Sequence, residues 1–231
     1  MNLANARRRT VRRIMSAFFL KVSGGDKRFR ITSPYEIFPE AREFEQQFQT
    51  IKAEVDALVN LKKPQKYSEI DPGRAAEVST DWKIYYGSLM GAISPEARTL
   101  IPSITSFAEK SPNVVSTIVS ILEPGVTLKA HVGTNGGFLR YHLTLQAPEV
   151  NAPYIRVDRE EYTWREGESI ILDDTFDHEV YNESDERRIV LIVDIYRPMN
   201  RFADLLNRMH TRTRRKAAGG ILEASRILVA Q

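Results

Sequence analysis

The sequence predicts a mainly β protein with flanking helices, folded as a jelly roll or cupin-like barrel. Two observations carry that prediction. After Pro112 the chain breaks into short runs rich in Val, Ile, Thr and Tyr, separated by turn residues such as Pro124-Gly125 and Asn135-Gly136-Gly137. Before and after that stretch, apolar residues recur at helical spacing instead. The length agrees. A chain of 231 residues, 42% hydrophobic and 27% charged, suits one domain with a small appendage and a substantial core.

Taken in order, residues 4–22 read as a basic amphipathic helix. Val11, Ile14, Met15, Phe18, Phe19 and Val22 share one face, and arginines occupy the other. Gly24-Gly25-Asp26 ends it. Residues 39–61 read as a second helix, with Phe44, Phe48, Ile51, Val55, Leu58 and Val59 on one side. A polar loop around residues 71–74 leads to a strand at 82–86. Ser94 caps a helix over residues 95–108, in which Pro102 imposes a kink or a late start. Strands then follow at residues 114–122, 127–132, 138–145, 154–157, 169–172, 178–181 and 188–197. Helices at residues 202–209 and 221–228 close the chain. This divides the sequence into a basic N-terminal helix (1–25), a barrel region with its helices (26–200) and a helical basic tail (201–231).

Composition excludes several chemistries. With no cysteine there are no disulfides, thiolate nucleophiles, zinc ribbons or iron–sulfur ligands. The longest apolar runs fall well short of a membrane span or a secretory leader, so a cytoplasmic location is expected. The net charge is +3, but Arg7, Arg8, Arg9, Arg12 and Arg13 crowd one end, and Arg208, Arg212, Arg214, Arg215 and Lys216 the other. Nothing aromatic is interleaved with these clusters, so nucleic acid is a poor partner. The N-terminal helix is compatible with peripheral contact at the inner face of an anionic membrane, and equally with packing on the barrel, arginines to water.

Three of the four histidines, His131, His142 and His178, lie in the β-rich stretch. Neutral imidazole is the commonest protein ligand for iron, zinc and copper, and His131 and His178 stand on separate strands, where they can hold a metal at a barrel mouth. The period-2 rule sorts the other candidates. Arg140, His142 and Thr144 share one face of their strand. Arg188, Val190, Ile192 and Asp194 share another, and Ser116, Ile118, Ser120 and Leu122 a third. Bringing Arg140, His142, Arg188 and Ser120 into one barrel makes a cationic pocket for a carboxylate. Each also has an ordinary reading: Arg187 and Arg188 as an outward pair, His142 as a packed core residue, Asp173 and Asp174 as a turn.

The motifs together resemble a known family. Ser120-Ile-Leu-Glu-Pro-Gly125, His131-Val-Gly133, Leu139-Arg-Tyr-His-Leu143, Trp164-Arg-Glu-Gly167, Leu172-Asp-Asp-Thr-Phe-Asp-His-Glu179 and Arg188-Ile-Val-Leu-Ile-Val-Asp194 with Arg197-Pro198 look like the aspartyl/asparaginyl β-hydroxylases. These are Fe(II)- and 2-oxoglutarate-dependent dioxygenases on a double-stranded β-helix. The bacterial lipid A hydroxylases of that family are especially similar in Leu-Arg-Tyr-His-Leu and Asp-Asp-Thr-Phe.

The resemblance spans roughly residues 82–198. It implies His131 and His178 as iron ligands. The carboxylate that most such sites carry two residues after the first histidine is replaced by Gly133, as that family's pattern expects. It further implies Asp174 as an acid that hydrogen-bonds water in the vacated position. Arg188, assisted by Ser120, is the implied partner of the distal carboxylate of 2-oxoglutarate. Arg140 and His142 lie near its other end, and Trp82 walls the pocket. The implied reaction hydroxylates an unactivated C–H bond, at the β-carbon of an aspartyl or asparaginyl residue or a related small molecule. Two alternatives stand beside it: the same chemistry on a lipid A acyl chain, and a non-catalytic cupin that binds a carboxylate.

Overall fold

The computed structural model describes residues 3–61, 64–70 and 82–224. The polar loop expected at residues 71–74 lies outside them, as does the end of the helix expected at 221–228. The side chains of Arg7, Arg8 and Arg9 are not among the described residues either. In chain order the elements are α1 (Leu3–Val22), β1 (Ile31–Thr32), α2 (Ala41–Gln46), α3 (Phe48–Leu61), β2 (Gln65–Lys66), α4 (Tyr67–Ile70), β3 (Lys83–Leu89), β4 (Ala92–Ile93), α5 (Pro95–Leu100), α6 (Pro102–Lys110) and β5 (Val114–Leu122). There follow β6 (Thr127–His131), β7 (Phe138–Gln146), β8 (Tyr154–Val157), β9 (Glu160–Thr163), β10 (Ser169–Leu172), β11 (His178–Tyr181), β12 (Arg188–Tyr196) and α7 (Arg201–Ala224).

The strands form two antiparallel sheets. The larger has eight strands in the order β1-β10-β7-β12-β5-β3-β2, with β4 on β3, and the smaller runs β6-β11-β8-β9. From β5 to β12 the chain steps alternately between them, counting the β8–β9 hairpin as one step: β5, β7, β10 and β12 in one, β6, β8–β9 and β11 in the other. That alternation is the double-stranded β-helix, a jelly roll of the cupin kind.

Each face of the large sheet has its own core. Tyr85, Val119, Ile121, Leu143, Leu191 and Val193 pack outward under α2, α3, α5 and α6. Ile84, Ile118, Leu172, Val190 and Ile192 pack inward against Leu128, Ile155, Val157 and Val180 of the small sheet. Nearly every residue of β5 and β12 is therefore buried. Polar side chains on their inner face line the interior rather than meet water.

The structure departs from the expected elements where local chemistry is subtle. The helix expected at 39–61 is two helices, divided at Gln47, whose N–H turns to the Phe44 carbonyl at 3.1 Å. The helix at 95–108 divides at Ile101, and Pro102 starts α6, where its missing N–H costs nothing. The sequence reading missed β9, whose Glu160-Glu161 looks like loop. It forms a two-residue hairpin with β8, with Asp158 at φ 55°. The two helices expected at the C-terminus are one, continuous through Gly219 and Gly220. Burial of Ala203, Asn207, Thr211, Ala218 and Leu222 along one face outweighs the roughly 1 kcal/mol that each glycine costs a helix.

Candidate active site

His131 ends β6 and His178 opens β11. The two are direct cross-strand partners, which brings their ring centroids to 4.1 Å. His131 Nδ1 lies 2.6 Å from the Lys129 carbonyl, and His178 Nδ1 lies 3.0 Å from that of Phe176. A carbonyl can only accept, so each Nδ1 carries a proton, and the lone pair of a neutral ring then lies on Nε2. Burial lowers the His178 pKa, against the opposing pull of Asp174, so this imidazole is neutral at neutral pH. Two imidazoles with adjacent rings and Nδ1 atoms held by carbonyls are a suitable donor set for a first-row divalent metal. Among the described residues no group of three or more His, Asp or Glu is placed to hold a metal, so the pair stands without a carboxylate in its own set.

Gly133 explains how that arrangement is built. A Cβ at this position would fall on the Asp174 carboxylate, and the Gly133 N–H donates to the Asp174 carbonyl at 2.6 Å. The space a side chain at 133 would fill is thus held by Asp174, which is buried. Arg140 fixes it, with Nε 3.1 Å from Asp174 Oδ2 and 3.1 Å from Asp194 Oδ1. Burial opposes the charge on Arg140, but these two carboxylates outweigh it and raise its pKa.

Farther along the inner face lies the cationic pocket. Pairing of β12 with β5 and β7 sets Val190 beside Ser120 and Thr144, Ile192 beside His142, and Asp194 beside Arg140. The faces sorted by period two are therefore one surface. Arg187 is exposed and Arg188 is only 2% exposed, so the two are not an outward pair. The Arg188 guanidinium lies 4.4 Å over the Trp164 ring and 3.4 Å from Ser120 Oγ. Ser120 Oγ also accepts from Trp82 Nε1 at 2.9 Å, so its own proton remains to be donated. Among the described residues no carboxylate pairs with Arg188, and its Nε has no hydrogen-bond partner. Burial without a counter-anion pulls its pKa down to about 9.

Both ring nitrogens of His142 are likewise unpartnered. Burial, then the charges of Arg188 and Arg140 and the neighbouring His178, hold it well below the usual histidine range. His142 is buried, its ring stacked 6.1 Å from that of Trp164. Trp164 had been read only as part of a motif. Its role under Arg188 needed the third dimension.

A cavity of about 910 Å³ opens at the mouth, lined by His131, Arg140, Asp174 and Asp194, with Trp82 and Ile118 toward its floor. Ser120, His142, His178 and Arg188 are not part of its lining; Trp82, which is, donates to Ser120 Oγ. Its outer wall comes from α1 and α7.

Residues 45–198 match the family model described as aspartyl/asparaginyl beta-hydroxylase. The chain belongs to this family. A relative from Rhizobium tropici, an ornithine lipid ester-linked acyl 2-hydroxylase, is 34% identical over 173 residues, 74% of this chain. The mouse aspartyl/asparaginyl beta-hydroxylase is 39% identical over 79 residues, 34% of this chain. The alignments cover 62% of the Rhizobium protein and 10% of the mouse protein. Among solved structures, an oxidoreductase of the 2OG-Fe(II) oxygenase family from Burkholderia pseudomallei aligns with 68% of this chain and 91% of its own. Its TM-score is 0.44 and its identity 11%. No helix among the described residues is long and apolar enough to cross a membrane.

Proposed function

We propose that this chain is an Fe(II)- and 2-oxoglutarate-dependent hydroxylase of an unactivated C–H bond. The observation that carries the reading is Arg188: a buried guanidinium with no acid beside it among the described residues, in the same barrel as a histidine pair whose Nδ1 atoms are held by carbonyls. A buried cation without an anion is costly, and a dicarboxylate cosubstrate supplies what is missing. Ferrous iron and 2-oxoglutarate, when bound, supply the oxidising power that inserts oxygen from O2 into the C–H bond, with succinate and CO2 as co-products.

The chain's own residues bind, orient and shield. Arg188 grips one carboxylate of the cosubstrate, and the Ser120 hydroxyl donates to it. Trp82 and Trp164 wall that end and exclude water. His142, neutral, offers one donor and one acceptor toward the other end. His131 and His178 present their Nε2 lone pairs as metal ligands. Asp174, clamped by Arg140 beside Gly133, accepts a hydrogen bond from water on the open side of the pair.

For the substrate, the cavity favours the lipid alternative. Val11, Leu89, Met90, Phe138 and Ile221 give it an apolar lining suited to an acyl chain, and the long alignment with the Rhizobium acyl hydroxylase supports this. An aspartyl or asparaginyl side chain needs less apolar surface. Peripheral contact of α1 with a membrane fits the lipid reading.

The test is turnover by the purified chain with Fe(II), ascorbate and 2-oxoglutarate, measured as succinate, alone and with short-chain aminolipids or aspartyl peptides. Binding of 2-oxoglutarate and succinate formation lost in His178→Ala are expected. Absence of both binding and turnover sinks the hydroxylase. Binding with no turnover under any addition makes it a non-catalytic cupin. Stimulation by aspartyl peptides alone returns the substrate to the protein side chain.

A further inference from the structure

The family match begins at residue 45, yet the loop that leads into His178 is held by residues before it. β1 pairs with β10, Ile31 opposite Leu172 and Thr32 opposite Ile171, and the Asp173 N–H donates to the Arg30 carbonyl at 2.9 Å. Residues 28–32 therefore run alongside the loop of residues 173–177.

Two arginines of that segment reach the loop. Arg28 Nε lies 2.8 Å from Asp173 Oδ2, and its Nη2 donates to Thr175 Oγ1 at 3.3 Å. Arg30 Nε lies 3.0 Å from Oδ2 of Asp158, in the β8–β9 turn, and its Nη1 donates to the Arg28 carbonyl at 2.7 Å. Both cations thus have carboxylate partners. Both also lie over the ring of Phe176, Arg28 at 4.8 Å and Arg30 at 4.1 Å. A guanidinium is attracted to the electron-rich face of an aromatic ring, and an anchored guanidinium fixes where that ring sits.

Phe176 in turn orients His178, whose Nδ1 lies 3.0 Å from the Phe176 carbonyl. His131 makes the same contact two residues back, to Lys129. Lys129 is inside β6, whereas Phe176 lies in the loop before β11. Its place is set by the two guanidiniums and by its N–H, which donates to the Asp173 carbonyl at 3.2 Å. The next carbonyl, that of Asp177, accepts from the Asp158 N–H at 2.7 Å. A path of contacts therefore runs from Arg30 through Phe176 to the ring of His178. Groups that hold a ligating histidine by its other nitrogen set its ring orientation and tune what it binds.

We propose that Arg30, with Arg28 beside it, is a positioning residue for His178, acting through Phe176 to hold the ring of this metal ligand. The clamp stands on the contacts themselves. Its consequence for metal binding rests on the proposed function.

Two measurements on the full chain test it. The first is metal-free: ring-nitrogen NMR signals of histidine-labelled protein, with His178 assigned by their loss in His178→Ala. The second is Co(II) titration, followed by calorimetry and visible absorption. Wild type is expected to show His178 protonated at Nδ1 and to bind Co(II). Arg30→Gln should mix the His178 tautomers, weaken Co(II) binding about tenfold and alter its visible spectrum. Phe176→Leu, which keeps an apolar side chain but loses the ring, should do the same. Arg30→Lys and Phe176→Tyr should recover much of both, because each keeps a cation over a ring. Arg98→Gln removes an exposed guanidinium paired with Glu109 on the outer helices and should change neither reading.

Wild-type behaviour of Arg30→Gln in both measurements overturns the clamp. So does a loss that Arg30→Lys fails to recover, or one that Arg98→Gln shares. Weaker Co(II) binding with an unchanged His178 signal, or a Phe176→Leu variant that matches wild type, overturns the route through Phe176. Co(II) binding by wild type that is indifferent to Arg30 sinks the clamp alone. A His178 signal that follows Arg30 in a protein that binds no Co(II) sinks the metal reading alone.

Discussion

Replacing Arg188 with Met should stabilise the empty protein while destroying its affinity for 2-oxoglutarate. Methionine has similar length, and its thioether can pack on Trp164, Leu122 and Val190. Arg188 is 2% exposed and has no anion beside it among the described residues, and burial pulls its pKa down to about 9. At about 1.4 kcal/mol per pKa unit, that drop corresponds to an uncompensated desolvation cost of several kcal/mol. Its position over Trp164 returns about 2 kcal/mol, and the long contact to Ser120 about 1. Desolvation wins. Replacing even a paired buried charge with well-packed apolar side chains is often neutral or stabilising, by about 1–4 kcal/mol. For a chain of this size each kcal/mol raises Tm by about 2–4 °C. The same change removes a charge-assisted carboxylate contact of about 3 kcal/mol, a loss of more than a hundredfold in affinity. Calorimetric melts with and without 2-oxoglutarate measure both. The variant should melt higher than wild type alone, and the cosubstrate should raise Tm only in wild type. A variant that melts lower, or still gains stability from 2-oxoglutarate, refutes the reasoning.

Three further outcomes follow from the geometry. Gly133→Ala should push the Asp174 carboxylate off Arg140, costing about 1–3 kcal/mol of stability and weakening Co(II) binding at the histidine pair, read by titration calorimetry. Asp173→Asn should be costly at neutral pH. Burial raises the Asp173 pKa, but Arg197, Thr175 and Arg28 outweigh it, and the net shift is downward. The stability it contributes is complete above the ordinary carboxyl pKa of about 4 and is lost as pH falls through the lower folded value. The variant should therefore trail wild type by about 3–5 kcal/mol in urea melts at pH 7, and the gap should narrow at pH 3. Asn207→Ala should remove the buried bond to the Gly137 carbonyl, cost about 1–3 kcal/mol, and speed hydrogen exchange in α7 more than in β12.

The jelly roll was legible because its turns are spelled in Pro-Gly and Gly-Gly pairs and its strands in β-branched residues. The pocket was legible because Arg140, His142 and Arg188 interrupt otherwise apolar strands at period two. Their common face was a consistent guess. Burial on both sides of β12 erases the in-and-out alternation that marks a strand's orientation, and only register separates Arg188 from Arg187. The helical wall was hidden for another reason. Residues 11, 12, 210 and 214 are distant in sequence, and α7 reads as a basic tail until Asn207 docks on Gly137. The strand Glu160–Thr163 carries too much charge to announce itself and exists because its hairpin partner does.

The turn at Asn135-Gly136-Gly137 holds both α1 and α7. Leu20 and the Ser16 carbonyl of α1 pass so close to Gly136, and Asn207 of α7 so close to Gly137, that neither position has room for a Cβ. A side chain at either glycine would therefore displace a helix as well as a turn. The two helices share this point of attachment, and their motions relative to the barrel are coupled through it.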